Sequence, residues 1–103
     1  MDNQSKIKIV SDKITRDELR AIGMAVFGNA FVKAVVDIAK KIMAVGADMH
    51  VDEEQILIEN GSRQRDLWGI NFYPDQEGEE FVEFDSMINI RPSQNNRSRS
   101  VED

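Results

Sequence analysis

The chain contains no cysteine. Disulfides, thiolate metal sites and cysteine nucleophiles are therefore excluded, and a reducing compartment is compatible with the composition. No apolar run approaches the roughly 20 residues of a membrane-spanning helix. The opening stretch MDNQSKIKIV lacks the apolar segment of a signal peptide. A cytoplasmic setting with no membrane partner is the expectation. Positive charge is also short, with 13 Lys and Arg against 19 Asp and Glu, a formal net charge of -6. Non-specific binding to phosphate backbones is driven by net positive charge, so general nucleic-acid binding is not expected. Histidine is represented by His50 alone. There is no phosphate-cradling glycine-rich loop, no G-x-S-x-G elbow and no H-E-x-x-H pair.

What is present fits one domain spanning 1–103, with 93–103 as a loop or loose tail. Hydrophobic residues make up 41% and charged residues 31%, the balance of an ordinary globular chain with one modest core. KIKIV (Lys6 to Val10) alternates and reads as a strand. In ITRDEL, Thr15 and Glu18 form a capping box, with Ile14 and Leu19 at staple positions, and the helix stops at Gly28-Asn29. Residues 31–49 admit two readings. Lysines and Asp37 at helical spacing allow one amphipathic helix, whereas the β-branched density of VKAVVDI and the interior glycine of IMAVGADMH favour two antiparallel strands turning near Ala39-Lys40. VDEEQILIENG resembles a helix capped by Asp52 and stopped at Gly61, with a strand at QILIE as the alternative. DLWGINFYP and EFVEFDSMINIRP read as two strands. Trp68, Ile70 and Phe72 share one face of the first, and Val82, Phe84, Ile88 and Ile90 one face of the second.

Three groups of residues could carry chemistry. MINIRPSQNNRSRS, from Met87 to Ser100, holds three arginines and no acid. Arg91 leaves the last strand, Pro92 ends the pairing, and Asn95, Asn96, Arg97 and Arg99 supply amides and planar forks suited to carboxylate or phosphate. The competing readings are a solvated turn bonded to its own backbone and a latch onto acidic residues. In DMHVDEE, the spacing of Asp48, His50, Asp52 and Glu54 would place all four on one face of a strand, where His50 and Asp52 are candidate ligands for a divalent metal. His50 is also the natural acid-base group. Asp85 could orient it, or pair with Arg91. Trp68 is read as a core anchor, with stacking on a ligand as the lesser alternative.

IMAVGADMHVDEE, ENGSRQRDLWGINFYP and FDSMINIRPSQNNRSRSVED together resemble an uncharacterised family of small prokaryotic proteins, domain of unknown function fifty-six seventy-four. The similarity runs from about Val32 to the end. It implies a stand-alone cytosolic domain and transfers no catalytic residues. Two features depart from the family pattern: Ala47 replaces an expected glycine, and members tend to continue past VED into a further helix.

The expected architecture is α+β, in the order β-α-β-β-α-β-β, with a mostly antiparallel sheet and its helices on one face. The expected function is a binding site that joins His50 and Asp85 with Asn71, Asn89, Arg91, Asn95, Asn96 and Arg97 around a small anionic ligand. Metal-assisted hydrolysis of a phosphorylated metabolite is one alternative. The other is a protein-binding module, as a homodimer or with another partner.

Overall fold

Thr15 starts the first helix, α1 (Arg16–Phe27). Its hydroxyl accepts from the Glu18 backbone N–H at 3.0 Å, and the Glu18 carboxylate accepts from the Thr15 N–H at 3.3 Å. This reciprocal box is the one read from ITRDEL. Gly28 adopts φ 73° and returns its N–H to Met24, stopping the helix at the expected place. The computed structural model describes residues 7–91 together with Gln94, Asn96 and Ser100.

The five strands are β1 (Lys8–Val10), β2 (Val32–Asp37), β3 (Ile42–Val45), β4 (Leu67–Phe72) and β5 (Val82–Glu83). They form one antiparallel sheet in the order β1-β3-β2-β4-β5. With α1 after β1 and α2 (His50–Glu59) after β3, the element order is the expected one. The hairpin reading of residues 31–49 holds. Its turn is organised by Asp37, whose Oδ1 accepts from the Ala39 and Lys40 N–H groups at 2.9 Å each, while Ser62 Oγ donates to Oδ2 at 2.6 Å. Burial pushes the Asp37 pKa up, but these donors outweigh it and hold the carboxyl below its usual range.

The helices take opposite faces of the sheet, a correction to the one-sided layering. Leu19 of α1 packs with Val10, Val32, Ala34, Val45, Ile70 and Phe72. Leu57 of α2 packs with Val35, Ala44 and Leu67 on the other face. Strand β2 therefore lies at the middle of a three-layer arrangement, which is why VKAVVD is apolar on both sides.

Two boundaries also differ. Helix α2 begins at His50, with Met49 in the N-cap position and making no side-chain cap, so Asp52 lies inside the first turn instead of before it. The final strand is two residues long, followed by a 3-10 turn at Met87–Asn89. Val82 packs on the α1 side and Ile88 on the α2 side, while Phe84 is 52% exposed. The expected shared face of Val82, Phe84, Ile88 and Ile90 is thus broken by the turn.

Candidate functional site

Strand register puts three polar side chains in a row. Lys33 of β2 is opposite Asn71 of β4, and Asn71 is opposite Glu83 of β5. Side chains alternate along each strand, so this row lies on the α2 face, beyond the apolar cluster that ends at Val35. The start of α2 sets His50 beside it. Gly69 makes that approach possible. A Cβ there would meet the Ser86 Cβ at 2.5 Å, the Ser86 Oγ at 2.6 Å and the His50 Cδ2 at 3.2 Å.

The row forms part of the lining of a cavity of about 380 Å³, with His50, Tyr73, Asp85 and Ser86 around it and Phe31, Met49, Val51, Met87 and Ile88 contributing apolar surface. Glu83 Oε1 accepts from Asn71 Nδ2 at 3.0 Å and from the Tyr73 hydroxyl at 2.9 Å. Asn71 Nδ2 also donates to the Asp85 carbonyl at 3.2 Å. Burial, and then the bond to Glu83, raise the Tyr73 pKa and keep its proton in place.

His50 is buried, and its Nε2 lies 2.8 Å from the Ile70 carbonyl. A carbonyl only accepts, so Nε2 carries the proton and Nδ1 of the neutral ring is an acceptor. Burial lowers the His50 pKa and Lys33 adds to that. The Ile70 carbonyl, Asp85 and Asn71 pull the other way without overcoming it. Asn71 Oδ1 is left buried with no hydrogen-bond partner among the described residues. A protonated ring would donate to Asn71, but a neutral ring does not. The site thus holds an acceptor that lacks a donor, next to a lysine with no ion-pair partner among the described residues.

Of the residues singled out from the sequence, His50, Asn71 and Asp85 come together in this cavity. Asn89, Arg91 and Asn96 lie along the free edge of β4. Gly69 donates to Asn89 Oδ1 at 2.8 Å, and Asn89 Nδ2 donates to the Gly69 carbonyl at 3.0 Å, so one amide takes the place of a neighbouring strand. Arg91 donates to the Leu67 and Ile88 carbonyls, stands 3.8 Å from Glu54 and lies 4.5 Å over the Trp68 ring. Trp68 is half-buried beneath that guanidinium. Asn96 Nδ2 donates to the Asn89 carbonyl at 2.6 Å. Asn95 and Arg97 lie outside the described residues.

Asp52 does not line the cavity. Because residues 50–59 are helical, Asp48, His50, Asp52 and Glu54 do not share one face. Among the described residues, no group of three or more His, Asp or Glu side chains could hold a metal ion. No helix among them is long and apolar enough to cross a membrane.

Lys33, Tyr73, Glu83 and Ser86 were not singled out from the sequence. Glu53 is a further such residue. It is fully buried, its Oε2 accepts from the Ala47 N–H at 3.1 Å, and its Oε1 has no hydrogen-bond partner among the described residues. Desolvation pushes its pKa up to about 9. The signal that could have found it is the helical spacing of His50, Glu53 and Leu57, all on the buried side of α2.

No curated protein and no solved structure shows significant similarity to the chain. The family model described as "Protein of unknown function (DUF5674)" matches residues 8–103, and the chain belongs to that family.

Proposed function

We propose that this protein is a binding domain for a small polar molecule that carries an acidic group, held in the cavity between α2 and the β2-β4-β5 part of the sheet. The observation that carries the proposal is the state of the polar row. Lys33 has no ion-pair partner and Asn71 Oδ1 has no donor among the described residues, and both line one cavity. Leaving a buried acceptor unsatisfied costs about 1–3 kcal/mol, a cost that a bound donor group removes. An acidic group suits Lys33 and the uncapped start of α2.

Binding is preferred to catalysis because the usual partnerships are otherwise engaged. The His50 Nε2–H is committed to Ile70. The ring turns its Cδ2 edge toward Gly69, where the Ser86 oxygen also lies, and that oxygen accepts from the Ile88 N–H at 3.3 Å. In this reading Asn89, Arg91 and Asn96 serve the fold. A cytoplasmic setting is part of the proposal, and a cysteine-free chain suits it.

Thermal-shift measurements with a panel of small organic acids test the reading. At least one acid is expected to raise the melting temperature of the natural chain while leaving Lys33→Met unmoved. A panel that shifts both proteins equally, or neither, contradicts it.

A further inference from the structure

We propose that the ligand is an apolar α-amino acid, its charged head spanning the polar row and its side chain lying against the exposed aliphatic rim of the cavity. This deepens the function proposed above and rests on it.

The head is argued from charge on two sides of one cavity. On one side are Lys33, without an ion-pair partner among the described residues, and the first turn of α2, whose N-cap residue Met49 makes no side-chain cap. On the other is Glu83, held in place by Asn71 and Tyr73. Lys33 and Glu83 stand two strands apart, which is about 10 Å between backbones. An ion of one sign meets only half of this arrangement. A carboxylate and an ammonium on neighbouring atoms meet both halves. The ammonium also supplies the donor that Asn71 Oδ1 lacks, and Asn71 is only 5% exposed.

The tail is argued from the rim. Met49 is 53%, Val51 50% and Met87 66% exposed, and all three line the same cavity. They come from two separate segments, the start of α2 and the 3-10 turn after β5. Aliphatic side chains that converge at the mouth of a polar cavity offer burial to an apolar group attached to a polar head. The volume of about 380 Å³ falls at the small end for ligand cavities.

Isothermal titration with glycine, alanine, norvaline, norleucine and hexanoate reads head and tail separately. Along the amino-acid series, the dissociation constant is expected to fall about three- to fourfold for each added methylene. Met87→Ser, a change at an exposed position, is expected to flatten that gradient without abolishing it. Lys33→Met should weaken every amino acid by tenfold or more. Hexanoate should bind at least tenfold more weakly than norleucine. Equal binding of glycine and norleucine overturns the apolar tail, and equal binding of hexanoate and norleucine overturns the zwitterionic head. Either result leaves the acid-binding reading standing. If no amino acid binds while another acid stabilises the chain through Lys33, this inference alone fails. If no acid of any kind does so, the parent reading fails with it.

Discussion

A carboxyl group gives up its charge when desolvation outweighs whatever favours the anion, and Glu53 is such a group, its burial overcoming the Ala47 N–H and Lys33. With its pKa pushed up to about 9, it is protonated in the folded chain at neutral pH, whereas the unfolded chain holds it as a carboxylate. Between about pH 4.5 and 9 the folded state therefore binds the extra proton, and stability falls as pH rises through that window. His50 has the opposite sign. Its lowered pKa means that the unfolded state takes the proton first, so its contribution is complete above about pH 6.5 and is lost as pH falls. Glu53→Gln keeps the shape and removes the titration. Urea denaturation should show the variant gaining on the natural chain as pH rises, by on the order of 3 kcal/mol at pH 7. A constant difference between pH 5 and pH 8 contradicts the assignment. The run DEE could not by composition reveal which acid turns inward. Periodicity could, since His50, Glu53 and Leu57 repeat at helical spacing.

At the scale of elements, the sequence was most legible where a local signal sets a boundary. Thr15 with Glu18, Gly28, and the turn at Asp37 to Lys41 depend on neighbours a few residues away, and they stand where they were expected. The last strand depends on residues distant in sequence. Asn89 pairs with Gly69 through its side chain, and no alternation pattern announces that substitution for a strand. The start of α2 was misplaced for a related reason. Asp52 is a good cap by residue type, but helix packing brings His50 into the first turn. Gly69 is where these elements meet. Gly69→Ala should force Ser86 and the His50 ring apart and cost about 1–3 kcal/mol. Thermal denaturation reads the loss, and a displaced His50 ring resonance separates this clash from a simple backbone effect. Unchanged stability would contradict the close approach.

At the scale of the molecule, one sheet carries a helix on each face, and its two ends differ in character. Arg91 closes one end, joining the Leu67 carbonyl of β4, Glu54 of α2 and the Trp68 ring. Lysine keeps the charge but lacks the fork that serves all three. Arg91→Lys should cost about 1–3 kcal/mol, because it gives up donation to the Leu67 and Ile88 carbonyls. A melting temperature unchanged in Arg91→Lys would contradict the latch. The C-terminal arginine and asparagine pattern was visible in the sequence as a concentration of chemistry. What the sequence could not show is that Asn89, Arg91 and Asn96 donate to the fold's own carbonyls, while Lys33, from the strand VKAVVD, faces the cavity. Amide NMR during titration with the acid that most stabilises the chain tests the central claim most directly. The account predicts joint shifts at Lys33, His50, Asn71, Tyr73 and Glu83 that saturate together. Shifts confined to the segment after Arg91, fading with added salt, would contradict it.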